Sequence, residues 1–135
     1  MTSRRSFLQI GAGLWALALL ASQAGAEEQK KKGGGLSYVQ LPTLTATVFR
    51  ADGHRGVMTV EVGIDIPNGG LRARAQISQP RLRAAYVQML QAYASGLGPG
   101  QAPSADYIAI ALQKETDRVL GEPGAKLLLG TILVN

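Results

Sequence analysis

Beyond residue 36 the spacing of apolar residues changes from one regime to the next, and each change predicts an element. From Tyr38 to Arg50, Leu44, Ala46 and Val48 alternate with Thr43, Thr45 and Thr47, the two-residue period of a strand with one buried face. Pro42 has no amide donor, so this strand is expected at an edge, or to begin properly after the proline. Asp52-Gly53 signals a turn. Met58, Val60, Val62, Ile64 and Ile66 then alternate with Thr59, Glu61, Gly63 and Asp65, the clearest half-buried strand in the chain. The two strands predict an antiparallel hairpin with a loop from Asp52 to Gly56. Pro67-Asn68-Gly69-Gly70 ends it.

From Leu71 the period lengthens. Residues 71–78 read as an approach to a helix running from about Gln79 to Ser95, with Ser78 as N-cap and Pro80 in the first turn, where its missing donor costs nothing. Leu82, Tyr86, Met89 and Tyr93 share one helical face, widened by Ala85 and Leu90. Gly96 stops this helix, and a glycine- and proline-rich loop reaches Pro103. Ser104 then caps a second helix with Asp106 in its first turn and Ile108, Ala111, Leu112 and Val119 on its apolar face. Gly121 and Pro123 end it. The final run, Leu127 to Val134, is apolar at nearly every position and predicts a central strand buried between layers. The order β-β-α-α-β predicts an α+β domain, a small antiparallel or mixed sheet packed on two helices.

The start of the chain follows another logic. Arg4 and Arg5, followed by Phe7 and Leu8, precede an uncharged stretch that lasts to Ala26, and Ala24-Gly25-Ala26 offers the small residues a signal peptidase requires. This closely resembles a bacterial twin-arginine export signal, with cleavage expected after Ala26. The same stretch is long enough for an uncleaved anchor in the inner membrane, the alternative address. Its densely apolar part, Ile10 to Ala21, is short and diluted by Gly11 and Gly13, which favours a signal and a periplasmic location. Glu27 to Gly35 is a charged, glycine-rich linker. Three segments result: a signal at 1–26, a linker at 27–35 and a single domain at 36–135.

Composition narrows the chemistry. With Arg4 and Arg5 gone, 12 basic residues face 9 acidic ones and the formal charge falls from +5 to +3, with much of the excess in Lys30-Lys31-Lys32. That run is a solvated spacer or a contact for anionic headgroups of the inner-membrane surface. No aromatic residues interleave with clustered cations, so nucleic acid is not an expected partner. The chain has no cysteine, which excludes disulfides, thiolate metal sites and cysteine nucleophiles.

Individual polar residues support structure better than catalysis. His54, the sole histidine, falls in the hairpin loop without a second imidazole. Glu61 and Asp65 share the outward face of a strand. Gly96-x-Gly98-x-Gly100 follows a helix and contains Pro99, so it lacks the strand-to-helix setting of a phosphate loop. Ser37, Ser78, Ser95 and Ser104 lie near element ends, where capping accounts for at least two. The expectation is no catalytic residue, no metal and no cofactor. Arg72, Arg74, Arg81 and Arg83 remain as a candidate interaction patch for acidic groups, and Tyr86 with Tyr93 as either core or an oligomer contact.

Tyr38-Val39-Gln40-Leu41-Pro42, the alternating strand Val57 to Ile66, the helix opening Pro80-Arg81-Leu82-Arg83-Ala84-Ala85-Tyr86-Val87, the helix Tyr107 to Leu120 and the closing Thr131-Ile132-Leu133-Val134-Asn135 occur in a telling order. Together they resemble the periplasmic domain of the flagellar basal-body-associated protein FliL, over almost all of 36–135. The resemblance implies a sheet-on-two-helices fold related to stomatin-like domains, which assemble side by side into homo-oligomers. It also implies a non-enzymatic role among protein partners of the flagellar basal body or stator. The chain departs from that family where Arg4 and Arg5 open an export signal in place of a permanent anchor. A soluble periplasmic accessory or ligand-binding protein without a motility role is the alternative.

Overall fold

The computed structural model describes residues 35–135, and the readings at Arg4, Arg5, Phe7, Leu8, Ala24, Ala26 and the lysine run lie outside the described residues. The domain has the expected α+β class, with one strand divided in two and one additional helix. In chain order the elements are β1 (Tyr38–Gln40), β2 (Leu44–Phe49), β3 (Arg55–Asp65), α1 (Gly69–Ile77), α2 (Gln79–Ser95), α3 (Ala105–Leu120) and β4 (Lys126–Val134). All strand pairs are antiparallel.

β3 is the centre of the sheet. β2 pairs with its first half, from Phe49 opposite Arg55 to Leu44 opposite Val60, and β1 pairs with its end, Gln40 opposite Gly63 and Tyr38 opposite Asp65. Both lie along one side of β3 because β4 occupies the other. Pro42 sits in the gap between β1 and β2, where the lack of an amide hydrogen breaks the ladder. The Gln40 amide nitrogen spans this break by donating to the carbonyls of Leu41 at 3.1 Å and Val62 at 3.0 Å.

The expectation that Leu127–Val134 forms a central strand is overturned. β4 is an edge strand, and Leu128, Leu133 and Val134 are exposed. It pairs with β3 alone, and its apolar pattern is broken by a bulge. Val62 is opposite Leu129 and Val60 opposite Ile132, so Gly130 and Thr131 together face the single residue Glu61. The extra residue shifts the alternation by one, which puts Leu127 and Leu129 on the same side as Ile132 and Val134. The helix-facing residues thus form two segments out of phase, and Leu128 and Leu133 fall on the open face.

One face of the sheet carries Leu44, Ala46, Val48, Met58, Val60, Val62 and Ile64, all buried against the helices. α2 contributes Leu82, Ala85, Tyr86, Leu90 and Ala94, and α3 contributes Ile108, Leu112, Thr116, Val119 and Leu120. A fully buried leucine such as Leu82 or Leu112 stabilises the fold by about 2 kcal/mol relative to exposure. Met89 and Tyr93 complete the face as half-buried residues. α2 rests on β2, and α3 on β4 and α2. The sheet's other face has no helix over it among the described residues.

α1 was read only as an approach to α2, yet it is a helix in its own right. The Asn68 side chain accepts from the Leu71 amide at 2.8 Å, and Leu71 and Ala75, one turn apart, are its buried residues. α1 runs into α2 through Ser78, whose amide donates to Arg74 and whose carbonyl accepts from Leu82, both at 2.9 Å. Ser78 therefore makes no side-chain cap. Its backbone, at φ −88° and ψ 5°, continues the turn and never takes the extended shape a capping serine needs. Ser104 caps α3 as expected, its hydroxyl accepting from the Tyr107 amide at 3.3 Å. Gly121 closes α3 at φ 79°.

Candidate functional site

An edge strand presents a row of backbone donors and acceptors, and what happens to that row separates the two edges of this sheet. On the β2 side the row is occupied at Thr47 and Phe49. Gln91, from the middle of α2, accepts from the Thr47 amide at 3.1 Å and donates to the Thr47 carbonyl at 3.5 Å. Two residues further along β2, the loop between α2 and α3 donates the Gly100 amide to the Phe49 carbonyl at 3.0 Å. Gly100 suits this approach because its φ is +72° and a β-carbon there would lie 2.9 Å from that of Ala51. The loop is pinned by Tyr93, whose ring stacks on Tyr107 at 4.9 Å and whose hydroxyl accepts from the Ser104 amide at 2.7 Å.

On the β4 side only the beginning is occupied. Gln113 of α3 accepts from the Leu127 amide and donates to the Ala125 carbonyl, each at 2.8 Å. Past the bulge, Val57 and Asn135 exchange both backbone hydrogen bonds at 3.0 Å. That pair fixes which residues of β4 turn inward, because the bonding direction alternates along an antiparallel strand. Leu133 bonds β3, whereas the backbone groups of Leu129, Ile132 and Val134 point away from the sheet. No described residue bonds to them there.

Apolar side chains cluster beside this open row. Val57 and Leu133 lie on the uncovered sheet face with Phe49 nearby, and Leu128 lies on the same face across the bulge. The face is not uniformly apolar, since Thr45, Thr47, Thr59 and Glu61 share it. Gly63 is buried there because the Tyr38 ring lies over it. At the end of the sheet, beneath Val134, a groove of about 300 Å³ is lined by Val48, Phe49, Leu97, Pro103 and Val134 with Gln101 and Asn135 at its rim.

The four candidate arginines divide into two kinds. Arg72 donates to the carbonyl of Ile66 at 2.9 Å, closing the corner between β3 and α1. Arg74 donates to the Leu120 carbonyl at 3.1 Å and lies 3.5 Å from a Glu122 oxygen, tying α1 to the end of α3. Arg81 and Arg83 are exposed, and Arg83 borders a shallow depression with Pro42, Ile77 and Pro80. Neighbours two apart on a helix point to opposite sides, so neither Arg72 with Arg74 nor Arg81 with Arg83 forms one cationic surface.

Elsewhere polar residues serve the framework. Asp65 accepts from the Ser37 hydroxyl at 2.5 Å, and the Ser95 hydroxyl donates back to the Gln91 carbonyl at 2.7 Å, so of the four serines only Ser104 caps a helix. In the hairpin loop Asp52 is held down to about 2, first by the hydrogen bond from Arg50 and then by the His54 amide. Tyr86 is pushed up to about 12 by burial, against the opposing effect of its hydrogen bond with Thr116. No group of three or more histidine, aspartate or glutamate side chains is placed to hold a metal ion among the described residues. No helix among them is long and apolar enough to cross a membrane. The geometry favours strand addition along β4, with backbone bonds for affinity and alternate side chains for selectivity. A scan of protein-family models and a search of curated proteins return no match to this chain.

Proposed function

We propose that this is an exported, non-enzymatic bacterial protein of the FliL type, acting in the periplasm by binding protein partners of the flagellar basal body or stator. The observation that carries the reading is the open outer half of β4, with unbonded backbone groups at Leu129, Ile132 and Val134 beside exposed Leu128 and Leu133. Such an edge is a recognition element for another polypeptide, and it is less obstructed than the β2 edge, where Thr47 and the Phe49 carbonyl are already bonded. The order of strands and helices behind Tyr38-Val39-Gln40-Leu41-Pro42 adds support from the family resemblance.

The groove under Val134 favours a second reading, a periplasmic ligand-binding protein with no motility role. Deletion of the gene separates the two. Under the first, swimming in soft agar is impaired, and stator or basal-body proteins cross-link to the tagged wild type and are lost with Leu133→Lys. Normal swimming of the deletion strain refutes the flagellar role. A mature N-terminus at Glu27 in the periplasmic fraction supports export with cleavage, whereas intact Met1 in membranes supports an anchor.

A further inference from the structure

We propose that the occupant of the β4 edge is a second copy of this chain, paired antiparallel to β4 about a two-fold axis between Gly130 and Thr131. The proposal rests on β4 being the binding element of the function proposed above, with the flagellar partners captured by the paired chains. In this register Leu129 of one copy faces Ile132 of the other, and both are residues whose backbone groups point outward. They exchange both hydrogen bonds. Val134 then faces Leu127, whose carbonyl is free to accept although its amide is held by Gln113. The bulge that breaks the alternation lies on the axis, so it disturbs both copies alike and leaves the two arms in step.

The side chains match in the same register. Leu128 faces Leu133 of the second copy, and Leu133 faces Leu128, so two exposed leucines of each chain cover one another on the open sheet face. On the helix side Val134, also exposed, meets Leu127, and Ile132 meets Leu129. The strand's one charge, Lys126, lands opposite Asn135 and not opposite another lysine. Nothing along the edge acts against self-pairing: from Leu127 to Asn135 there is no proline and no charge.

The register makes a charge exchange decisive. Leu128→Glu and Leu133→Lys are made separately and measured by light scattering after gel filtration, on the full chain as exported. The wild type is expected at twice the chain mass and each single variant at the chain mass, because each puts an unpaired charge against leucine. Mixing the two variants restores the doubled mass, since the introduced glutamate then faces the introduced lysine while the other end keeps its leucine pair. As a second measurement, Thr131→Cys in this cysteine-free chain is expected to cross-link into a covalent dimer under mild oxidation, and Thr45→Cys on the β2 edge is not. A monomeric wild type, or single variants that stay dimeric without Thr131→Cys cross-linking, overturns the proposal. A monomeric wild type whose Leu133→Lys variant still loses stator capture overturns self-pairing alone and leaves the edge as a binding element for another protein.

Discussion

Tyr86 and Thr116 join α2 to α3 in the interior, and the direction of their hydrogen bond is fixed by a third group. The Thr116 hydroxyl donates to the Leu112 carbonyl at 2.7 Å, so its proton is committed and the Tyr86 hydroxyl must be the donor to Thr116. Both side chains are fully buried. Removing one partner or the other is therefore unequal. Tyr86→Phe leaves the threonine proton bonded and an oxygen lone pair unfilled, a loss of about 1 kcal/mol. Thr116→Val leaves a phenolic donor buried with nothing to accept it, a loss of about 2–3 kcal/mol. The double variant removes both polar groups and keeps nearly the same shapes, so its loss is expected near 1 kcal/mol, smaller than that of Thr116→Val alone.

Four proteins unfolded in urea and followed by circular dichroism measure this cycle. The double variant should be more stable than Thr116→Val by at least about 1 kcal/mol, which for a domain of this size is a difference of roughly 4–8 °C in Tm. The urea dependence should be the same for all four, since the surface exposed on unfolding barely changes. Additive losses, or a Thr116→Val variant no weaker than Tyr86→Phe, would refute the assigned donor and with it the account of how the two helices are locked.

Raising the pH probes the same tyrosine. Its folded-state value of about 12 exceeds the ordinary 10, so its contribution is complete below pH 10 and is lost as pH rises towards 12; the stability advantage of wild type over Tyr86→Phe should shrink across that window and reverse. Gln91→Ala should cost about 1 kcal/mol and speed hydrogen exchange at the Thr47 amide, leaving the β4 amides protected as before. Gln113→Ala unpairs both the Leu127 amide and the Ala125 carbonyl, and a loss of about 1–2 kcal/mol with faster exchange at Leu127 is expected by the same measurement. Gly121→Ala meets no atom within 4 Å but must hold φ near +79°, so thermal unfolding should report a loss of about 1 kcal/mol from backbone strain alone.

Much of the domain was legible because it follows from local periodicity. The Met58 to Ile66 alternation became β3 and its turn, the face through Leu82, Tyr86 and Leu90 became α2, and Ser104 and Gly121 bounded α3. The misreadings share a cause. α1 was overlooked because Asn68-Gly69-Gly70 reads as the end of a strand, whereas its Asn68 also starts a helix with a short apolar face at Leu71 and Ala75. Ser78 has a capping residue's identity in a place where one helix continues into the next. The glutamines that occupy the sheet edges, Gln91 and Gln113, look in the sequence like ordinary polar positions on amphipathic helices.

Local spacing was enough for β2, β3, α2 and α3 and for the buried face of each, because those depend on residues a few positions apart. The sequence also carried the breaks, at Pro42 and Gly121, where a single residue lacks a donor or permits a left-handed turn. The place of each strand and the fate of each edge came from contacts between distant segments. Whether Leu127–Val134 is central or peripheral depends on whether a second strand pairs with its outer side, and whether Thr47 is satisfied depends on a glutamine 44 residues away. A one-residue bulge opposite Glu61 then reset which residues of β4 face the helices, a consequence of pairing between chain segments that no local pattern encodes.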